Sequence, residues 1–222
     1  MEPIKSFYLI RHVGTDLNCD KDKNKDRIRG WLDIPIASDG YAQIACLISN
    51  NAEALRTVEQ IYTSDLQRAF QTANAIASIF GAKLIKFPAL RPWNVGVYSG
   101  QLTCEALTPL NDYCRNRPDE KVPDGESFNE FKNRVFKGLR DIVKKVGPNL
   151  EFAIVTHYRV ERLVESWIAA GCPADYSLDT STWTQRGEPV GHMERMSILS
   201  NRLTEIKESP VKALPKRLEA AG

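Results

Sequence analysis

Two of the three histidines stand where a buried strand is expected to end. His12 follows the β-forming run Ser6 to Ile10 and Arg11, and His157 follows the run Glu151 to Thr156. The carboxyl ends of parallel strands meet at one edge of a sheet, and ligands bind there. Imidazole is partly neutral at pH 7 and can act as a nucleophile. The two imidazoles are therefore candidates for one shared reaction centre.

Two arginines accompany these histidines. Arg11 directly precedes His12, and Arg68 falls in the first turn of the helix predicted after strand 60–63. Guanidinium groups bind phosphate through paired hydrogen bonds, and a helix N-terminus adds free N–H groups and positive potential. Taken singly, each residue has an ordinary explanation as a surface arginine or a packing histidine. Their convergence from three segments favours an anion site.

Hydrophobic periodicity indicates the elements that position these residues. Predicted strands are 6–10, 60–63, 83–87, 151–156 and 196–199, with 203–206 as a hairpin partner. Predicted helices cover about 38–55, 64–80, 102–116, 126–146 and 157–170. Ser64, with Gln67 three residues later, predicts a capping box at the start of the second helix. Continuous apolar strands alternating with helices predict an α/β domain with a mostly parallel sheet.

Composition excludes several classes of protein. The chain has 222 residues with 30 Lys and Arg against 28 Asp and Glu, a net charge of +2. This near-balance argues against a nucleic-acid-binding or membrane-surface protein. The absence of a long apolar run predicts a soluble, cytoplasmic protein. Five cysteines without a CxxC pair and three histidines argue against a Cys/His zinc cluster.

Weak periodicity marks two parts of the chain. Segment 88–125 contains five prolines and predicts an elaboration of a single domain that spans 1–206. Residues 207–222 are charged and alanine-rich, which predicts a flexible tail. We expect Trp93 in the core, His192 in a surface loop, and the charged loop 21–29 in solvent.

An ordered set of motifs resembles the histidine phosphatase superfamily, whose fold is phosphoglycerate-mutase-like. Residues 9–18 (LIRHVGTDLN) resemble the opening signature LIRHGETxxN, and residues 62–73 (YTSDLQRAFQTA) resemble YSSDLxRAxQTA. Further matches in the expected order are residues 29–36 with QGWxDxPL, 38–43 with LTxxGxxQA, 123–127 with PGGES, and 154–157 with VSH.

The resemblance implies a three-layer α/β/α sandwich and a set of roles. His12 would attack the phosphoryl group and carry a phosphohistidine. Arg11, Arg68 and His157 would hold the phosphoryl oxygens. Further candidate phosphate contacts are Asn18, Thr15, Arg91 and Tyr158. No metal or cofactor is implied, the substrate would be a small phosphorylated molecule, and a homodimer is one candidate assembly.

Departures from the family pattern bear on activity. Val13 and Tyr158 replace the glycines that follow the two histidines, and Gly14 replaces a glutamate. Pro92 stands where the general-acid glutamate would be, and proline cannot protonate a leaving group. Candidate substitutes are Glu126, Asp16 and Glu105, of which Glu126 fits best, with a helix-start carboxylate as its alternative role.

Three functions follow from these features. The leading expectation is a metal-independent phosphomonoesterase that works through phospho-His12. The second is a weak or inactive module that binds phosphate or a partner, which Val13, Tyr158 and Pro92 favour. The third is a phosphoglycerate mutase, which the missing glutamate at position 92 weakens.

Overall fold

A five-stranded sheet lies at the centre of the structure. The computed structural model describes residues 4–18, 25–147, 150–171 and 189–199. The strands are β1 (Ile4–Arg11), β2 (Gln60–Thr63), β3 (Lys83–Lys86), β4 (Phe152–Thr156) and β5 (Met193–Leu199). Their order is β3-β2-β4-β1-β5, with the first four parallel and β5 antiparallel to β1. The predicted α/β class with a mostly parallel sheet is confirmed.

Helices follow the strands much as periodicity predicted. They are α1 (Gly40–Leu55), α2 (Gln67–Phe80), α3 (Thr103–Arg115), α4 (Phe128–Lys145) and α5 (Tyr158–Ala169), with short 3₁₀ turns at Pro88–Leu90 and Gly96–Tyr98. No helix in the described ranges is both long and apolar enough to cross a membrane. The predicted hairpin partner 203–206 and tail 207–222 lie outside the described residues.

Both faces of the sheet are buried, which explains the continuous apolar strands. On β1, Phe7 and Leu9 point into a core shared with α3, α4 and α5, whereas Ile10 points into a second core shared with α1 and α2. Alternate side chains of a strand face opposite sides of a sheet. The result is the three-layer α/β/α arrangement.

A capping box fixes the start of α4. The Ser127 hydroxyl accepts a hydrogen bond from the Glu130 N–H (3.0 Å), and the Glu130 carboxylate accepts one from the Ser127 N–H (2.9 Å). This reciprocal pair satisfies N–H groups that a helix start leaves unpaired. The apolar face of α4 then packs through Phe131 and Val135 into the core.

The predicted capping box of α2 is wrong. The helix begins at Gln67, and the Gln67 N–H donates to Asp33 Oδ1 (2.7 Å) rather than to Ser64. Asp33 belongs to the loop before α1, so its carboxylate reaches the helix from 34 positions away. A carboxylate at a helix N-terminus also interacts favourably with the helix dipole. This contact ties the 29–33 loop to α2.

Segment 88–125 crosses the carboxyl edge of the sheet and packs tightly against the start of α4. Trp93 is in the core, as predicted, and its ring meets Phe128 edge-on with centroids 5.4 Å apart. Gly96 has φ +47°, and a Cβ there would lie 1.8 Å from the Pro123 carbonyl oxygen. Only glycine permits this close approach of two backbones.

Two glycine substitutions separate conformational strain from steric overlap. Gly81 also has a positive φ (+72°), but a Cβ there would meet nothing within 4 Å. We expect Gly81→Ala to cost about 1–2 kcal/mol of unfolding free energy from backbone strain. Gly96→Ala should cost about 1–3 kcal/mol more from overpacking. Urea unfolding of both variants measures the difference, and equal losses would contradict the close packing of 96 against 123–125.

Candidate active site

Two buried histidines lie side by side at the carboxyl edge of the sheet. Their ring centroids are 5.1 Å apart, and their exposed fractions are 3% for His12 and 2% for His157. The pairing of β1 with β4 places Arg11 opposite Thr156, so the next residue of each strand is a histidine. The His12 N–H also donates to the Thr156 carbonyl (3.0 Å). Strand register therefore brings the two imidazoles together, as predicted.

The tautomer of His12 follows from its backbone contact. Nδ1 lies 2.6 Å from the Val13 carbonyl oxygen, which can only accept a hydrogen bond. Nδ1 therefore carries the proton, and Nε2 holds the lone pair. Burial, together with the charges of Arg68 and Arg11, holds the pKa of His12 well below 6.5. His12 is thus neutral at physiological pH, with Nε2 available as a nucleophile.

His157 has unused hydrogen-bonding capacity. Both its ring nitrogens are buried and have no hydrogen-bond partner among the described residues. Its pKa also lies well below 6.5 because of burial and the charge of Arg68. Buried polar atoms without partners are costly and therefore uncommon. In the neutral ring one of these nitrogens carries a proton, and that N–H is a donor from which an anionic ligand could accept a hydrogen bond.

Arg68 supplies a buried positive charge beside the histidines. Its side chain is 1% exposed, and it donates to the carbonyl oxygens of Leu32 (2.7 Å) and Gly30 (3.0 Å). Burial and the nearby charge of Arg29 lower the pKa of Arg68 to about 9. The guanidinium remains charged at pH 7, and its two partners are neutral carbonyls. A bound dianion would offset this unfavourable burial.

Arg11 and Tyr158 form one flank of the site. The Arg11 guanidinium lies over the Tyr158 ring, 5.0 Å from its centroid. Tyr158 replaces the family's glycine, so the ring occupies space beside the cation and orients it through a cation–π contact. Both residues were predicted to contact phosphate. In the structure they lie at the same flank of the site and contact each other.

Arg29 is a cation of the site that the sequence analysis missed. Its charge contributes to lowering the pKa values of His12, His157 and Arg68. Its guanidinium forms an ion pair with Asp26 (3.0 Å) and donates to the Leu17 carbonyl (3.2 Å). It was assigned to the solvated loop 21–29 because local charge patterning is typical of an exposed loop. Its place at the start of the 29–36 motif was the signal that could have identified it.

Asn18 and Thr15 shape the loop after His12. Asn18 Oδ1 accepts hydrogen bonds from the Thr15 N–H (3.0 Å) and the Thr15 hydroxyl (2.9 Å). Because Oδ1 is used as an acceptor, the amide has its NH₂ group left as a donor for a ligand. Thr15 is buried and acts within the loop.

Arg91, predicted to contact phosphate, is committed to another residue. Its guanidinium forms a paired salt bridge with Asp65, with Nε 2.7 Å from Oδ1 and Nη2 2.5 Å from Oδ2. It also lies over the Trp31 ring, 4.7 Å from the centroid. A fork-like pair of this kind uses the donors that would bind phosphate. The structure thus assigns Arg91 to the wall around the site.

Glu126, the preferred substitute acid, is held as an acceptor. Its Oε1 is 2.6 Å from Arg134 Nη2 and also accepts from the Asn94 N–H (2.9 Å), while Oε2 is 3.1 Å from Arg134 Nε. A proton on this carboxyl would break charge-assisted hydrogen bonds. The geometry therefore favours a structural role for Glu126. The other two candidates, Asp16 and Glu105, are exposed.

The remaining departures are accommodated without filling the site. The Val13 side chain is fully buried against Ile36 and Ile44. The Pro92 carbonyl accepts hydrogen bonds from Trp31 Nε1 (2.8 Å) and Arg134 Nη2 (3.0 Å). Position 92 therefore anchors the wall of the site through its backbone and offers no acidic proton.

The arrangement combines a neutral imidazole with concentrated positive charge. Nε2 of His12 can donate its lone pair, and the positive charges of Arg68 and Arg11 act on both histidines. In a site shielded from water, such charges interact strongly with a developing anion. A phosphoryl group is the electrophile that matches both features.

Comparisons with known proteins agree with this geometry. A sequence model of the histidine phosphatase superfamily (branch 1) matches residues 7–185. The probable phosphoglycerate mutase GpmB of Serratia proteamaculans is 32% identical over 137 residues, covering 60% of each chain. The chain therefore matches less than two thirds of that relative. The protein of the same name from Escherichia coli O1:K1 is 30% identical over 187 residues, covering 81% of this chain and 77% of that one.

A solved structure shows the same fold. Mycobacterial glucosyl-3-phosphoglycerate phosphatase superimposes with a TM-score of 0.65 at 20% identity, covering 87% of this chain and 90% of that one. The structural match and the family model over residues 7–185 therefore indicate the same family. The chain belongs to the histidine phosphatase superfamily.

Proposed function

We propose that the protein is a phosphoric monoester hydrolase that works through a phosphohistidine on His12. The observation that supports this most strongly is the buried pair His12 and His157, of which one presents a lone pair and the other two unpartnered nitrogens. A site built only to bind phosphate does not require a neutral nucleophile with a defined tautomer.

The reaction divides into two displacements. His12 Nε2 forms a bond to phosphorus as the ester P–O bond breaks, and the leaving oxygen departs with the bonding electrons and takes a proton from solvent water. Water then attacks the phosphohistidine, which releases inorganic phosphate and restores the imidazole. The Nδ1–H bond to the Val13 carbonyl stabilises the positive charge that develops on the ring. Two lower barriers replace one high barrier.

The arginines supply the electrostatic part of the mechanism. Arg11 and Arg68 would hold the non-bridging oxygens in line with Nε2, with Arg29 adding positive potential. His157 would donate from a nitrogen that otherwise lacks a partner. Phosphoryl transfer depends mainly on such positioning and charge stabilisation. We propose that these groups act without a metal ion.

Substrate preference follows from position 92. Pro92 has no acidic side chain, and the carboxylate of Glu126 is bonded to Arg134. Neither residue is therefore placed to protonate a leaving oxygen. Esters with acidic leaving groups need no such help. We therefore propose a preference for activated phosphate esters. The same feature supports the second candidate, a module that binds phosphate with little turnover.

Phosphoglycerate mutase activity is a further candidate because the curated relatives carry that name. A mutase returns the phosphoryl group from histidine to a bound acceptor rather than to water. Conversion of 3-phosphoglycerate to 2-phosphoglycerate by the wild type would favour it. Release of inorganic phosphate without isomerisation would favour the hydrolase.

His12→Asn tests the nucleophile. With p-nitrophenyl phosphate in EDTA, we expect the wild type to turn over and to form an acid-labile phosphoenzyme. The variant should lose the label and about 10⁴-fold or more in kcat/KM, since the covalent route disappears. Circular dichroism and phosphate binding serve as controls for folding. Full activity in the variant would contradict the mechanism, and phosphate binding without wild-type turnover would favour the binding module.

The protonation of the histidine pair gives a second test. Because the folded pKa values of His12 and His157 lie below 6.5, both rings should stay neutral as the pH falls through that value. Below pH 6.5 the unfolded chain therefore binds more protons at these two residues than the folded chain does. The free energy of unfolding should consequently decrease as the pH falls below 6.5.

Imidazole NMR titration measures these pKa values directly. Inorganic phosphate should raise both, because a bound dianion offsets the repulsion from the arginines and favours the charged rings. Values near 6.5 without ligand, or no response to phosphate, would contradict the proposed site.

Pro92→Glu tests the missing acid. We expect it to accelerate hydrolysis of an alkyl phosphate by up to about 10²–10⁴-fold, with a much smaller effect on p-nitrophenyl phosphate. Pro92→Gln is the matched control, because it has the same shape but no acidic proton. Equal effects of both variants would show that position 92 does not face the leaving group.

A further inference from the structure

A second cluster of chemical groups lies on the α5 side of the phosphate site. Glu161 and Glu165 are one turn apart on α5, and His192 directly precedes β5. One ligand atom from each of these residues lies within 4.8 Å of the others. Residues four apart on a helix share a face, so the two carboxylates point toward the same neighbour. The mechanism proposed above uses none of the three.

The carboxylates have buried oxygens without partners. The Glu161 side chain is 1% exposed, and its Oε2 has no hydrogen-bond partner in the described part of the chain. Glu165 Oε1 is buried without a partner as well. Burial raises the pKa of Glu161 to about 7 and also raises the pKa of Glu165. Buried oxygens without hydrogen-bond partners are unfavourable in free energy. These two therefore indicate an additional, positively charged partner.

Neighbouring contacts orient these oxygens. His192 Nδ1 is 3.2 Å from Glu161 Oε1, and Arg162 Nη1 is 3.1 Å from Glu165 Oε2. The Arg162 contact holds Oε2 of Glu165, whereas Oε1 has no partner among the described residues. Residues that hold a ligand from outside in this way are common around metal sites. Glu194 adds a further negative charge near Glu165.

We propose that Glu161, Glu165 and His192 form a binding site for a divalent transition-metal cation, with Zn²⁺ as the best match. Two carboxylate oxygens and one imidazole nitrogen suit Zn²⁺, and three protein ligands leave a fourth position for water. The cation would satisfy both unpartnered oxygens at once. The Cys/His pattern of the sequence predicts no metal site, whereas this donor set joins a helix face to a distant histidine.

The site would join α5 to the segment that flanks the catalytic histidine. The His192 carbonyl accepts from the Arg11 N–H (2.9 Å), and the Gly191 N–H donates to the His12 carbonyl (3.2 Å). A cation held between α5 and His192 would therefore restrain the backbone beside Arg11 and His12. This role is structural and does not depend on the proposed phosphatase activity.

Metal binding by the full, tag-free chain tests this proposal. Co²⁺ serves as the visible probe, and Zn²⁺ should displace it with one-to-one stoichiometry. We expect Glu161→Gln, Glu165→Gln and His192→Asn each to weaken Zn²⁺ binding by roughly 10–100-fold or more. Glu53→Gln removes an exposed carboxylate on α1 and should bind Zn²⁺ like the wild type.

A thermal scan provides an independent readout. Zn²⁺ should raise the unfolding midpoint of the wild type and of Glu53→Gln, but not of the three ligand variants. Should Glu161→Gln fail to fold, Glu165→Gln and the partly exposed His192→Asn still decide the question. No one-to-one binding, or binding that the ligand variants leave unchanged, would overturn the proposal and leave a cluster satisfied by protons alone.

Discussion

The candidate site depends on keeping two imidazoles neutral beside buried positive charge. The register of β1 and β4 forces His12 and His157 together, and burial with Arg68 disfavours a proton on either ring. The same burial is unfavourable for Arg68, which two backbone carbonyls hold in place. Positive charge is therefore concentrated in a buried site, and the phosphoryl dianion of the proposed substrate would offset it.

Much of the surrounding structure holds this arrangement. Asp33 caps α2, so the loop that provides the Arg68 partners is tied to the helix that carries Arg68. Across the site, Arg134 binds Glu126 and the Pro92 carbonyl, which braces segment 88–125 against α4. The carboxylate of Glu126, the candidate catalytic acid, thus helps to hold this part of the site rigid. Preorganisation of this kind is what electrostatic catalysis requires.

Helix α5 links the proposed phosphate site to the proposed cation site. Its N-terminus follows His157 and carries Tyr158, which lies against Arg11. One turn later the same helix presents Glu161 to His192. The two sites therefore have separate chemistry but share a rigid element, so a cation would affect the phosphate site only through the backbone beside Arg11.

Local sequence determined the elements and the central residues. Periodicity located the strands and helices because burial repeats along each element, and motif order selected His12, Arg68 and His157 as candidate site residues. Only the tertiary structure decided that Arg91 pairs with Asp65, since that partner lies 26 positions away in the chain. Likewise, spacing could not show that the charge of Arg29 acts on the histidines, or that Asp33 rather than Ser64 caps α2. Side-chain partners are selected by distance in the folded chain, and neither charge patterning nor periodicity encodes that distance.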